Sequence, residues 1–589
     1  MIAEVYPILK LPRKCTYFDY AIPGDLKLTP GDLVRVFFKG RETIGLVKGL
    51  KETSEAKKLL SISSLAKTRY VKPDDVRRYE QIAACVVQSV SSLLHTALPA
   101  SFYDGKPPLV FASKAPSIGA SDVPVLEACL SKINQQDVTV IAGDRDFGFA
   151  LAYALRRKQP GQMLILLPRE REAELLAKYV KLGDTTSLLH GKTKPRERVL
   201  IAEAWRSGQI DTLIGTRAAS LLPAHDLKTV LVLDSGSEEH INERRNPRFD
   251  AREAAKLLAH DHNAHLVFVD SLPRLEELVE RELVTTAERP DEACVINLGS
   301  SDEISNEVML SDSVITGIET ALHSHKKVLI YLNRKGVAKR LQCGKCGHIP
   351  LCGSCGHVPI VRHDDLVCPN CQTEMWIPAE CPACHKPKLA LRGVGGAKIA
   401  TTLKQLFPNA SLGRLEKGGV FNPEADIVIA TEYLFSSYLE PFTPKRYGLI
   451  VDLAGDISLH AGDFRGAEDP ARKLHRLLNL AKRQGAQALI QTWLPDVLKS
   501  MLGLPSFVAS ELAIRQKYSL PPYSSRITLE NITLAALPPE LSDRAIERDD
   551  VIELNLLNPV NLFNTLPDSV KLHYDGPYAQ SHDSPPQSK

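Results

Sequence analysis

The sequence predicts an α/β protein built on two tandem doubly wound sheets, and three observations predict it. From residue 137 onward, apolar stretches of strand length alternate with amphipathic stretches of helix length, the pattern of a parallel sheet covered on both faces. That rhythm stops near residue 300 and restarts near 326, which makes two sheets rather than one. Eight of the twelve cysteines then fall between 343 and 384, inside the second alternation, as four C-x-x-C pairs.

Taken in order, residues 1–105 open on the alternation Val5-Tyr6-Pro7-Ile8-Leu9. Two further strands follow at 33–38 and 43–47, then helix over 76–97, which predicts a small β-rich domain. Residues 106–136 carry Pro107, Pro108, Pro116 and Pro124 with several serines, and predict a linker with one short helix. The first sheet occupies 137–300, with buried strands at 138–142, 163–167, 212–215, 229–233 and 265–269. The second starts within 301–342 at the strand 326–333. It is interrupted by the cysteine-rich stretch 343–390 and resumes over 391–500 at 427–430, 449–452 and 488–491. A C-terminal domain is expected over 501–575. The polar tail 576–589, with Pro585 and Pro586, is expected to be disordered.

The cysteine pairs are Cys343/Cys346, Cys352/Cys355, Cys368/Cys371 and Cys381/Cys384. Two thiolates separated by two residues on a tight turn aim at one tetrahedral ion, so four pairs close two structural zinc sites and leave no coordination position for chemistry. The spacing leaves open which pairs share an ion. Disulfide pairing would need an oxidising compartment, and Met1-Ile2-Ala3-Glu4 does not begin a signal peptide. Cys15, Cys85, Cys129 and Cys294 are scattered and are expected to be small core residues.

A net charge of +3 with 24% charged residues excludes an extreme field, and permits a nucleic-acid partner without demanding one. No apolar run reaches the length of a membrane span, so no membrane partner is expected and a cytoplasmic location is the default. Residues 334–345 hold Arg334, Lys335, Lys339, Arg340 and Lys345 without an acid, and Trp376 lies between the third and fourth cysteine pairs. Such a stretch suits phosphate contacts, although a solvated basic face accounts for the charge equally well.

Local sequences narrow this plan. Leu332-Asn333-Arg334-Lys335-Gly336, His190-Gly191 followed by Arg196-Glu197-Arg198, Ile214-Gly215-Thr216-Arg217-Ala218, Asp463-Phe464-Arg465-Gly466-Ala467-Glu468 and Leu520-Pro521-Pro522-Tyr523 all resemble one family. So do Leu11-Pro12-Arg13, Phe18-Asp19-Tyr20 and Gly31-Asp32-Leu33-Val34-Arg35-Val36. The family is the bacterial replication-restart helicase family PriA (primosomal protein N′), and the resemblance covers roughly 1–100 and 137–535. It implies two tandem RecA-like helicase lobes with a two-zinc, eight-cysteine insert in the second, behind a small N-terminal domain that binds DNA 3′ ends. In that domain it implies that Phe18 stacks on the terminal base and Asp19 accepts a hydrogen bond. Gly40 lets the backbone approach, and Lys58 touches phosphate. Arg334 and Lys335 are implied DNA contacts beside the insert.

The resemblance also implies that the outer cysteine pairs share one zinc (Cys343, Cys346, Cys381, Cys384) and the inner pairs the other (Cys352, Cys355, Cys368, Cys371). The implied partners are branched DNA at replication forks, single-stranded DNA-binding protein, other primosome proteins and the loader of the replicative helicase. A monomer associated with the nucleoid is expected. The family carries a winged-helix domain between the 3′-end domain and the first lobe. Only 106–136 fill that gap here, so the winged helix is expected to be missing.

Against this likeness the parts of an ATP engine depart one after another. The phosphate loop keeps Gly143 and Gly148 at their spacing, but Phe149 and Ala150 stand where Lys and Ser/Thr would hold phosphate and Mg²⁺. Asp144 and Asp146 add negative charge where a triphosphate would sit. The acidic motif, Asp-Glu-Glu-His in the family, reads Asp234-Ser235-Gly236-Ser237, so no carboxylate at 235 polarises a water. Glu238-Glu239-His240 is not that motif displaced, because the spacing from Asp234 to Pro247-Arg248-Phe249-Asp250-Ala251-Arg252 already matches the family. The Ser-Ala-Thr coupling motif reads Asp270-Ser271-Leu272, and the Gly-Thr-rich motif reads Ala430-Thr431-Glu432-Tyr433-Leu434. The arginine-finger helix runs through Leu480, with Arg483 alone as a substitute.

The expectation is a fork-binding platform for primosome assembly with two zinc ions, without the grip on ATP and Mg²⁺ that unwinding needs. The alternatives are an active ATP-dependent 3′→5′ DNA helicase and, from another class, a zinc-stabilised protein-interaction module.

Overall fold

The computed structural model describes the chain except residues 14, 57, 87, 111–121, 134–137, 242–246, 280, 282, 286–292, 299–309, 333–339, 344, 363–364, 369–370, 372, 388, 393–395, 416–421, 423, 436–445, 454, 456–463, 543–544, 549–550, 557–565, 567–569 and 576–589. Two compact units emerge from the contacts. One comprises Met1–Val140, Phe147–Phe268 and the chain from Ser519; the other comprises Ile141–Asp146 and Val269–Tyr518.

The chain opens with a six-stranded sheet in the order Leu60–Ser61, Phe18–Ala21, Ile2–Pro7, Arg41–Lys51, Leu33–Phe38, Ser64–Lys67. Its hairpin between 38 and 41 turns on Lys39 and Gly40, whose φ values of 49° and 78° give the turn hand that matches strand twist. Ala3, Val5, Tyr20, Val34, Val36 and Val47 fill one core beside this sheet. Tyr6, Ile8, Leu46, Tyr79 and Leu93 belong to a second, covered by the helices Pro73–Cys85 and Val90–Ala97. Proline at the first turn and the Asp75 carboxylate, which accepts from the Lys72 N–H at 3.0 Å, start the first helix. Ser89 caps the second by accepting from the Ser92 N–H at 3.2 Å. Arg78, buried, bridges Asp75 at 2.5 Å and Asp261 at 2.6 Å.

The first α/β sheet has seven strands, ordered Leu283–Thr285, Val138–Ala142, His265–Asp270, Leu227–Leu233, Gln162–Leu166, Thr212–Gly215, Thr186–Leu189. The second has six, ordered Ala293–Asn297, Gln487–Thr492, Tyr447–Asp452, Lys327–Tyr331, Ile427–Ala430, Leu412–Leu415, every neighbouring pair parallel. Their strands are apolar on both faces because helices cover both, which is why they are near-continuous runs of Val, Ile and Leu.

Two boundaries differ from the sequence-based ones. The strand Ala293–Asn297, assigned to the first sheet by a boundary at 300, pairs with Ala488–Thr492 partners in the second. Its apolar pattern suits either sheet, and backbone pairing alone decides. The helix Leu504–Lys517, placed in a C-terminal domain by a boundary at 500, belongs to the second unit. Beyond it, Ala545–Arg548, Val551–Leu556, Ser525–Glu530 and Lys571–Asp575 form a four-stranded sheet in that order, each neighbouring pair antiparallel. In 106–136, the helix Asp122–Ile133 is the expected short helix. The tail 576–589 lies outside the described residues. Among the described residues no single helix is long and apolar enough to cross a membrane.

Candidate nucleic-acid and metal sites

Phe18 and Asp19 open the strand Phe18–Ala21, so their side chains leave on opposite sides of the chain. The half-buried Phe18 ring meets Phe38 edge-on at 4.9 Å, and the Lys39 ammonium stands 5.9 Å from the Phe38 ring. Asp19 turns to Lys51, whose Nζ is 2.8 Å from Oδ1, and accepts a hydrogen bond from the Ser54 hydroxyl. Burial alone would raise the Asp19 carboxyl, but Lys51 and Ser54 hold it below its ordinary value. Gly40 lies in open space, where an added Cβ would meet nothing within 4 Å, and Lys58 is exposed. The structure thus brings Phe18 to Phe38, which precedes the Lys39-Gly40 turn, and Asp19 to Lys51 and Ser54. Sequence reasoning missed Lys51, Ser54, Phe38 and Lys39. The only signal for them was that the long strand Arg41–Lys51 must end beside the first strand. Arg334 and Lys335 lie outside the described residues.

The expected phosphate loop is not a loop. The helix Arg145–Lys158 begins two residues after Gly143, so Gly148 is a buried helical residue and does not frame a cradle. Arg145, Asp146 and Phe147 are ordinary helix formers in place of loop glycines, which is the physical reason. Phe149 and Ala150 are buried in the same helix. Asp144, in the turn before it, is ion-paired with Arg483. The acidic motif departs in a similar way. Asp234 adopts a left-handed conformation (φ 48°) that aspartate tolerates, and Ser235 is fully buried with no partner for its hydroxyl among the described residues. The turn is held from behind: Arg252 grips Asp250 at 2.8 Å and donates to the Ser235 carbonyl at 2.7 Å. His240 donates to the Leu233 carbonyl at 3.1 Å, and burial, then the Arg252 charge, pushes it down to about 4. Leu480 is half-buried on the helix Glu468–Gln484, which also carries Arg483.

The eight cysteines form two groups: Cys343, Cys346, Cys381 and Cys384, and Cys352, Cys355, Cys368 and Cys371. Within each the sulfurs lie within 4.8 Å of one another. This is the outer-and-inner grouping that the resemblance implies. Sγ–Sγ distances of 3.6 Å (Cys343/Cys384), 3.5 Å (Cys352/Cys371) and 3.4 Å (Cys355/Cys368) are far too long for disulfides. They approach the edge of about 3.8 Å that a tetrahedron of sulfurs has around zinc at about 2.3 Å.

Each pair sits on the same turn. The cysteine N–H donates to the carbonyl five residues on: Cys343 to His348, Cys352 to His357, Cys368 to Thr373 and Cys381 to Lys386. Among the described residues, the residue four past the first cysteine is left-handed: Gly347 (71°), Gly356 (73°) and His385 (54°). Burial raises the Cys346 thiol to about 12. The Cys343 thiol is buried too, but backbone N–H groups at Cys346 and Lys345 bring it down to about 6. Four thiolates this close repel unless a cation sits among them, so the donor set fits a thiophilic dication.

Gly347 also lies where an added Cβ would stand 1.8 Å from the Trp493 ring. Gly347→Ala is expected to cost about 1–3 kcal/mol in overpacking and about 1 kcal/mol more for the left-handed backbone. The check is the midpoint of chemical unfolding. An unchanged midpoint would show that the knuckle moves freely away from Trp493.

Asp463-Phe464-Arg465-Gly466-Ala467-Glu468 ends in a buried ionic hub, with Asp463 itself outside the described residues. Glu468 accepts from Arg465 at 3.0 Å, from Arg515 at 2.7 Å and from Arg472. Arg465 also pairs with Glu276 at 2.5 Å.

Comparison with known proteins agrees with this geometry. The family model of the 3'DNA-binding domain (3'BD) matches residues 8–99, and that of the helicase conserved C-terminal domain matches 149–235, which fall in the first α/β sheet. The replication restart protein PriA of Rickettsia prowazekii (strain Madrid E) is 24% identical over 577 residues, covering 89% of this chain and 87% of the relative. The protein of the same name from Haemophilus influenzae is 26% identical over 400 residues, covering 62% and 54%. Among solved structures, RecG bound to a three-way DNA junction matches with a TM-score of 0.33 and 13% identity, covering 79% of this chain and 58% of that one. The match to the 3'DNA-binding domain, tandem helicase-type lobes, two four-cysteine clusters in the second lobe and similarity over 89% of the chain to a relative of that name together support a protein of the PriA family of replication restart proteins.

Proposed function

We propose that this chain binds branched DNA at stalled replication forks through its 3′-end domain and serves as a primosome-assembly platform, without ATP-driven unwinding. One observation carries the reading: a 3′DNA-binding domain match over 8–99 stands beside a helix at the expected phosphate loop, with Phe149 and Ala150 buried in it. The terminal base would lie against the Phe18–Phe38 pair beside the open Lys39-Gly40 turn, because an aromatic face tolerates any base. The terminal sugar hydroxyl would donate to Asp19 in place of the Ser54 hydroxyl, an equivalent donor already bonded there. Two zinc ions, one per cysteine cluster, hold the 343–390 insert. Contacts to single-stranded DNA-binding protein, other primosome proteins and the helicase loader, and a cytoplasmic, nucleoid-associated location, follow from that role as part of the proposal.

The test is quantitative binding to forks with free or blocked 3′ ends, with and without ATP, at one stated salt concentration. A charge-assisted hydrogen bond is worth about 1.5–3 kcal/mol, so Asp19→Ala should weaken binding to free-ended forks about tenfold or more. It should leave blocked-end forks unchanged. Equal binding of free and blocked ends by the parent protein favours a zinc-stabilised interaction module. DNA-stimulated ATP hydrolysis well above a no-enzyme blank establishes the active helicase instead.

A further inference from the structure

The helix Glu468–Gln484 presents Arg472, Arg476, Asn479 and Arg483 at spacings of four, three and four residues, one continuous face. Arg472 Nε donates to the Leu272 carbonyl at 2.8 Å. Arg476 donates to both oxygens of the fully buried Asp270, at 3.0 and 3.2 Å. Asn479 donates to the Ser271 hydroxyl at 3.1 Å, and Arg483 pairs with Asp144 through Nε and Nη2, the latter 2.5 Å from Oδ1. The two acidic turns are themselves joined, since the Gly143 N–H donates to the Asp270 carbonyl at 2.8 Å. All of these residues belong to the second compact unit.

Both turns stand where the resemblance puts nucleotide-sensing parts, the phosphate loop at 143–144 and the coupling motif at 270–272. The cationic helix is the one that would carry the arginine finger. In an ATP-driven machine a phosphate completes that circuit and its loss breaks it. Here a carboxylate that cannot dissociate does so. We propose that Asp144 is a built-in surrogate for a nucleotide phosphate. Together with the Asp270–Arg476 pair it holds these turns to the helix permanently, in one nucleotide-independent state. This rests on the proposed absence of ATP-driven work, and it adds a reason for Asp144 and Asp270 that loss of catalysis alone does not supply.

The experiment is a charge-reversal cycle on the full chain, read by hydrogen exchange of amides 141–146 and 269–272. Asp144→Arg and Arg483→Asp are each expected to speed exchange about tenfold, the coupling expected of a part-buried charge pair. The double variant should return to within about threefold of the parent. Asp144→Asn, which keeps the shape, should give an intermediate increase and guards against a misfolded reversal. ATP with Mg²⁺ should leave the parent's exchange unchanged. Unaltered exchange in the single variants, no recovery in the double, or protection conferred by nucleotide overturns the inference. ATP turnover and fork binding on the same samples separate its failure from that of the proposed function: turnover sinks the functional reading, whereas failed recovery with no turnover sinks only the surrogate.

Discussion

Stripping the metal from the two cysteine clusters will unfold the insert over 343–390 while the flanking parallel sheets keep a cooperative transition. The insert's strands are short: Arg340–Cys343 pairs with Leu389–Arg392, and Ile360–Arg362, Asp365–Val367 and Glu374–Trp376 form a separate three-stranded sheet. Its described buried apolar side chains, Ile349, Val358, Leu366 and Val367 among them, make too small a core for a segment of this length, and Trp376 is 86% exposed. The clusters join what hydrophobic burial does not. Cys343 and Cys381 are 38 positions apart yet share a cluster, as do Cys352 and Cys371. Structural zinc contributes on the order of 10 kcal/mol in small zinc domains, so its loss outweighs any single side-chain change here. Elemental analysis should find two zinc ions per chain. Chelator under mild denaturant should release both and open 343–390 to protease. Metal-free protein with an intact, protease-resistant insert would defeat the prediction.

Glu468→Ala is expected to destabilise the second unit by about 3–5 kcal/mol, the usual penalty for removing one partner from a buried ion pair. Glu468 is fully buried and faces Arg465, Arg472 and Arg515, so the alanine variant leaves three guanidinium groups short of a counter-charge where water cannot replace it. Glu276 remains to share the burden, paired with Arg465 at 2.5 Å and 3.6 Å from Arg515. That places the loss nearer the lower end.

The same geometry fixes a pH dependence. Burial alone would raise the Glu468 carboxyl; Arg465, Arg515 and Arg472 overcome it and bring the group from 4.5 to about 2. A depressed carboxyl contributes its full stability above the unfolded value and loses it as pH falls through the folded one. The contribution of about 3 kcal/mol should therefore disappear between pH 4.5 and 2. Glu468→Gln should flatten the unfolding curve in that window and nowhere above it. A loss under about 1 kcal/mol in Glu468→Ala would mean that the surrounding charges rearrange freely.

Much of the fold was legible because its signals are local. A strand covered on both faces must be apolar at successive positions, and Val138–Ala142, Leu227–Leu233 and Tyr447–Asp452 stand out for that reason. The departure at Phe149 and Ala150 was also local, since neither side chain carries a group for phosphate or Mg²⁺. The phosphate turn itself misled, because glycine spacing survives at 143 and 148 while Arg145, Asp146 and Phe147 between them are helical. The strand Ala293–Asn297 was misassigned for a different reason: an apolar run carries no record of which sheet it will join.

The sequence by itself determined the two-sheet α/β plan, the metal-ligand chemistry of the knuckles and the apolar side chains at 149 and 150, because periodicity, two-residue ligand spacing and side-chain type are properties of neighbours along the chain. Only the tertiary structure decided that Asp144 meets Arg483, 339 positions away, that Asp19 is already held by Lys51 and Ser54, and that Glu468 gathers three arginines. Charge pairing acts through space over a few ångströms, and nothing in the order of residues records which distant partner folding will bring within that range.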